Sequence, residues 1–237
     1  ALNDIPWVGI TGTNGKTTVT HLLSHVLEQA GLRAPMGGNM GVSAAEMALK
    51  IKTGDLLRPD WLVMELSSYQ IEAGPTLAPS IGIWTTLTPD HLERHGTLEA
   101  YRAIKRGLLQ RSSLAIFNGD DADLNAHRSS LKSGIWVQTA APCPDDQPAD
   151  FWIDDAGTIQ ARESGAMFPA DALAMPGAHN RQNQLLVTAA AIQIGLNAEQ
   201  IAQGFRSFPG VPHRLERLGS TASADVFNDS KATNYDA

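Results

Sequence analysis

The stretch Gly12-Thr13-Asn14-Gly15-Lys16-Thr17-Thr18 combines glycines, a lysine and neighbouring hydroxyls in the order that phosphate binding uses. Glycines let a loop turn its backbone N–H groups inward, and the N-terminus of a following helix adds partial positive charge. Lys16 would reach the terminal phosphates of a nucleotide, and the Thr17 hydroxyl would sit on Mg²⁺. The surroundings suit this. The apolar run ending at Ile10 reads as a buried strand. Val19, Leu22, Leu23, Val26, Leu27 and Ala30 recur at the spacing of one helical face. The general phosphate-loop pattern has a further glycine where Ile10 stands, so the loop is of a divergent type. The competing reading is a glycine-rich turn capped by a threonine.

Four other features belong with this loop. Glu65 ends the apolar run Trp61-Leu62-Val63-Met64, where a carboxylate can hold Mg²⁺ or simply be solvated. His91 follows Thr88-Pro89-Asp90 and reads either as a ligand or as a hydrogen-bonding loop residue. Asn180 and Asn183 share a face at a helix start, as binding residues or as part of a capped end. Lys105 interrupts the apolar face Leu98, Tyr101, Leu108 and Leu109. It either snorkels, with a packed stem and a wetted head, or is used chemically.

The elements that must carry these residues alternate. Strands are expected around Ile10, before Gly37, at 61–64, at 81–86, at 114–117 and at 135–137. Helices are expected over 42–52, 97–110, 120–131, 178–195 and 198–208. This predicts an α/β fold, a doubly wound and mostly parallel sheet with a P-loop, binding ligands at the C-terminal strand ends. Between 140 and 176 the chain turns rich in Pro and Asp, and Phe151-Trp152-Ile153 and Thr158-Ile159-Gln160 flank Asp155-Ala156-Gly157. This reads as a small antiparallel insertion with a hairpin. Pro209-Gly210-Val211-Pro212 marks a linker. The expected division is residues 1–208 as an ATP-binding domain and 209–237 as a linker and the start of another domain, the whole cut from something longer.

Composition narrows the classes. Apolar residues make up 43% and charged residues 18% of the sequence, which fits a compact globular protein. A net charge of −7 argues against a general nucleic-acid or membrane binder. The sequence has no long apolar run and no secretory leader pattern. Its single cysteine, Cys143, cannot form an internal disulfide. A cytoplasmic, monomeric protein is expected.

The stretch Thr11 to Thr18 resembles the ATP loop of the Mur ligase family, which joins amino acids onto the peptidoglycan precursor. Cyanophycin and folylpolyglutamate synthetases carry close variants. Glu65-Leu66-Ser67-Ser68-Tyr69-Gln70, Pro212-His213-Arg214 and Asn228-Asp229-Ser230-Lys231-Ala232-Thr233-Asn234 resemble the D-glutamate-adding branch. The likeness runs onto that branch's central ATPase domain and the beginning of its C-terminal domain. The shifted first glycine is also the family's habit.

The resemblance implies ATP-driven amide formation between UDP-N-acetylmuramoyl-L-alanine and D-glutamate, through an acyl phosphate, in peptidoglycan synthesis. The catalytic positions would be Lys16, Glu65, His91 and Lys105. Nucleotide contacts would come from Gly12, Thr13, Asn14, Gly15, Lys16, Thr17, Thr18, Asn180, Asn183, Arg214 and Asp229. Asn39, Ser67 and Gln70 match positions facing the muramoyl substrate, with Lys231 and Thr233 nearby. Thr17 and Glu65 would hold one Mg²⁺. His91 would hold a second, placed with the help of Lys105 as an N-carboxylated lysine. The chain by itself is not expected to ligate. Competing readings are another amino-acid or folylpolyglutamate ligase of this type, a nucleotide-binding module without catalysis, and a P-loop kinase or GTPase.

Overall fold

The computed structural model describes residues 4–140, 148–214, 216–220 and 224–231. Cys143 and Thr233 lie outside them. The chain opens with β1 (Trp7–Thr11), α1 (Lys16–Gln29), β2 (Met36–Gly38), α2 (Ala44–Thr53) and β3 (Leu62–Glu65). It continues through α3 (Ser68–Ala73), β4 (Ile81–Trp84), α4 (Leu92–His95), α5 (Leu98–Arg111) and β5 (Leu114–Asn118). Then come α6 (Ala122–Ala126), β6 (Ile135–Gln138), β7 (Phe151–Ile153), β8 (Thr158–Ala161), β9 (Gly165–Pro169), α7 (Ala178–Ile194) and α8 (Ala198–Arg206). The hairpin β10 (Glu216–Ser220) and β11 (Asp225–Asn228) follows.

The strand order β2-β3-β1-β4-β5-β6-β7-β8-β9 makes one sheet. It is parallel from β2 to β7 and antiparallel from β7 to β9. The central strands are buried on both faces, which is why they read as unbroken apolar runs. On one side Leu22, Val26 and Leu27 of α1 pack with Leu185 and Leu186 of α7 and with Ile201 and Phe205 of α8. On the other, Tyr101, Leu108 and Leu109 of α5 pack with Trp84, Phe117 and Trp136. The register sets Ile10 beside Glu65 and Thr11 beside Trp84, so three strand ends open at one level. No helix among the described residues is long and apolar enough to cross a membrane.

The expected small antiparallel insertion with its hairpin is present: β8 pairs antiparallel with β7 and with β9, and β7 joins them to the main sheet beside β6. One expectation is corrected, and one helix was not expected. The helix expected over 120–131 spans only Ala122–Ala126, with a tight 3₁₀ turn after it at Arg128–Ser130. There the Arg128 guanidinium leaves to lie 4.2 Å from the centre of the Trp136 ring. An unexpected helix, α3, begins at Ser68 behind a capping box formed by Ser67 and Gln70.

Candidate active site

The loop from Gly12 to Gly15 leaves β1 and enters α1 in a shape only glycine allows at both ends. Gly12 has φ +154°, and a Cβ there would lie 1.9 Å from Thr85 Oγ1. Gly15 caps α1 in the left-handed region at φ +82°, where a Cβ would lie 2.8 Å from Asn183 Oδ1. The segment after β4 straps the loop down. Thr13 N–H donates to the Thr86 carbonyl at 2.9 Å, and Asn14 N–H donates to Thr86 Oγ1 at 2.9 Å. Thr88 N–H donates to Thr13 Oγ1 at 3.1 Å. These threonines went unremarked in the sequence, although Thr85-Thr86-Leu87-Thr88 is a run of hydroxyls at a strand end.

Glu65 is only 2% exposed, which rules out the solvated reading. Thr17 Oγ1 donates to its Oε2 at 2.9 Å, and Asn39 Nδ2 donates to its Oε1 at 3.0 Å. The phosphate loop, a buried carboxylate and Asn39 thus form one polar cluster, because β3 and β2 lie in register beside β1. Lys16 Nζ donates to the carbonyls of Gly12 and Thr13 at 3.0 and 2.8 Å. Burial lowers its pKa, and the Glu65 charge opposes that.

Lys105 is 1% exposed, so it does not snorkel. Its Nζ donates to the Gly12 carbonyl at 3.0 Å and to Thr11 Oγ1 at 3.3 Å, and sits 4.5 Å from the centre of the Tyr101 ring. Burial, and then the Lys16 charge, hold its amine well below the ordinary lysine range, while Asp90 pulls the other way. Burial also pushes the Tyr101 hydroxyl up to about 12. Tyr101 is a site residue that sequence reading placed only in the apolar face.

His91 follows Asp90 with φ +53°, and its side chain is 44% exposed. It faces Tyr69 at 5.5 Å between ring centres. It shares one cavity wall with Lys16, Asn39, Glu65 and Lys231, and another with Ser67, Tyr69 and Lys105. Ser67 N–H donates to Gln70 Oε1 at 2.9 Å, so the Gln70 side chain is occupied in starting α3.

On the opposite side of the loop a further cavity is lined by Asn14, Gly15, Thr18, Asn180, Asn183, Arg214 and Asp229 among others. Gly177, not an asparagine, is the N-cap of α7. Asn180 Nδ2 donates to the Pro176 carbonyl at 2.6 Å, and Asn183 Nδ2 donates to Asn180 Oδ1 at 3.4 Å. Arg214 borders this cavity and the one at Glu65, so the two meet across the phosphate loop.

Among the described residues no three of His, Cys, Asp and Glu converge as a metal cage. The hydroxyl of Thr17 beside the carboxylate of Glu65 is instead the sparse oxygen set that suits Mg²⁺ shared with phosphates. In donor chemistry the site fits that ion.

Comparison with known proteins gives the family. Residues 10–191 match the family model described as Mur ligase middle domain. A UDP-N-acetylmuramoylalanine–D-glutamate ligase of Synechococcus sp. (strain CC9902) is 86% identical over 237 residues, all of this chain and 51% of that protein. One of the same name from Prochlorococcus marinus (strain MIT 9313) is 65% identical, again over all of this chain and 51% of the relative. The chain therefore spans about half the length of the curated relatives it matches. Among solved structures, a UDP-N-acetylmuramoyl-L-alanyl-D-glutamate–2,6-diaminopimelate ligase superposes with TM-score 0.71 at 22% identity, covering 92% of this chain and 49% of that one. MurF from Acinetobacter baumannii superposes with TM-score 0.71 at 19% identity, covering 96% and 51%. These two likenesses carry the fold alone. With its matched middle domain and its close relatives, the chain belongs to the Mur ligase family.

Proposed function

We propose that the chain is the ATPase portion of a ligase that adds D-glutamate to UDP-N-acetylmuramoyl-L-alanine in peptidoglycan precursor synthesis. Residues 1–208 make up its ATP-binding domain, and 209–237 a linker with the start of a further domain. The observation that carries the reading is Thr17 joined to the buried Glu65 at the mouth of a glycine loop whose lysine lies alongside. The names of the close relatives supply the substrates.

In this reading the loop N–H groups and the start of α1 receive the phosphates of ATP, with the nucleoside towards Asn180, Asn183, Arg214 and Asp229. Mg²⁺, when bound, neutralises phosphate charge. Thr17 and Glu65 would hold one ion, and His91 with an N-carboxylated Lys105 would hold a second. Lys16 exchanges its loop carbonyls for phosphate oxygens and balances the charge of the transferring group. The muramoyl carboxylate, set near Asn39, Ser67 and Lys231, attacks the γ-phosphorus and ADP leaves. The amine of D-glutamate then attacks the acyl carbon and phosphate departs. Lys105 reaches its carboxylated form when its unprotonated nitrogen bonds to the carbon of CO₂ and loses a proton.

A protein that draws on ATP and a UDP-linked precursor works in the cytoplasm. The experiment is to offer the full-length protein UDP-N-acetylmuramoyl-L-alanine, Mg-ATP and a panel of amino acids, and to weigh the product. D-Glutamate adduct alone supports the reading. Preferential addition of another amino acid overturns it.

A further inference from the structure

The end of β5 carries a side-chain relay whose direction is fixed. Asn118 Oδ1 accepts the Asp120 N–H at 3.0 Å, and Asn118 Nδ2 donates to the Thr85 carbonyl at 2.8 Å. A backbone N–H only donates and a carbonyl only accepts, so the Asn118 amide has a single orientation. Its Nδ2 also donates to Gln182 Oε1 at 3.1 Å. The Gln182 amide is thereby oriented in turn, with oxygen towards Asn118 and NH₂ away from it. Among the described residues that NH₂ donates to no protein acceptor, and Gln182 lines the cavity it shares with Gly15, Met175 and Asn183.

The location matters as much as the orientation. The phosphate loop leaves the end of β1, while Asn118 ends β5, with β4 between them. Two strand spacings are about 10 Å. A nucleotide seated by its phosphates on the loop carries its base at about that remove. The ring nitrogens of a purine accept hydrogen bonds and need a donor held in place. Asn118 holds one.

Resting on the nucleotide reading above, we infer that Gln182 is a specificity-determining residue whose Nε2 donates to a ring nitrogen of the ATP base. Asn118 acts as its positioning residue.

The test is calorimetric titration of the full-length protein with ATP, with 1-, 3- and 7-deaza-ATP, and with inorganic triphosphate. Gln182→Leu should bind ATP about five- to tenfold more weakly, the loss of one hydrogen bond, and triphosphate as before. One deaza analogue should bind wild type about five- to tenfold more weakly than ATP, yet bind Gln182→Leu as well as ATP does. Gln182→Glu keeps the acceptor for Asn118 and guards against a misfolded leucine variant. It should show the same indifference to that analogue. If every analogue loses equally in wild type and variants, or triphosphate affinity falls with that of ATP, the inference is overturned. A wild type that binds triphosphate but gains nothing from the nucleoside also overturns it. One that binds neither ATP nor triphosphate overturns the nucleotide reading as well.

Discussion

Lys16 and Lys105 donate to the same carbonyl oxygen, that of Gly12, each from 3.0 Å. Two ammonium groups on one acceptor repel, and Lys105 is the more deeply buried of the two. The conflict is relieved if Lys105 is unprotonated. A neutral amine is the form that captures CO₂, and the resulting anion would attract the Mg²⁺ that an ammonium repels.

The first prediction follows from that burial. The Lys105 pKa is depressed in the folded state, so the folded chain binds fewer protons there than the unfolded chain does. Its contribution to stability is intact above the ordinary lysine pKa and is lost as pH falls from that value to the depressed one. Replacing the group by an apolar chain of similar length removes this cost. Lys105→Met should therefore melt higher than wild type near pH 7 in CO₂-free buffer. The gap should close as pH rises towards 10.5. Thermal melts across pH check it, and a variant that melts lower near pH 7 contradicts it.

Chemistry gives the second. Lys105→Ala should lose ligase activity, and a short carboxylic acid that fills the vacated space should restore part of it. Normal turnover in the variant would make Lys105 a packing residue only.

A third concerns Lys16. In the proposed reading its ammonium exchanges the Gly12 and Thr13 carbonyls for ATP phosphates, and a charge-assisted contact contributes about 1.5–3 kcal/mol. Lys16→Ala should weaken Mg-ATP binding by about ten- to 150-fold. Calorimetry showing unchanged affinity would remove Lys16 from the site.

Stability away from the site supplies a fourth. Asp123 accepts two bonds from the Arg102 guanidinium, at 2.7 and 2.6 Å, where Arg102 is nearly buried. Asp123→Ala removes two charge-assisted bonds while Arg102 keeps Glu99 as its other partner, at a cost of about 1.5–3 kcal/mol. Denaturant melts should show this loss while ATP affinity at saturating folded protein stays within about twofold.

What the sequence disclosed was local in origin. The α1 face, the apolar run into Glu65 and the glycine loop are periodic or contiguous patterns, so they are legible without tertiary context. Lys105 announced itself as a charge in an apolar stripe, but its acceptor on Gly12 lies 93 residues away and has no local trace. The threonine strap at Thr85 and Thr86 was hidden for the same reason. The parallel pairing of β7 with β6, which joins the expected hairpin to the main sheet, is equally non-local. The α3 helix is different. Its capping box Ser67 to Gln70 was present in the sequence and was read only as a substrate motif.

The most direct test of the account follows oxygen through the reaction. UDP-N-acetylmuramoyl-L-alanine labelled with oxygen-18 in its alanyl carboxylate is turned over by the full-length protein with Mg-ATP and D-glutamate, and the phosphate is analysed by mass spectrometry. If the carboxylate attacks the γ-phosphorus, one labelled oxygen leaves with each phosphate. Phosphate released without label while the amide forms would contradict the account.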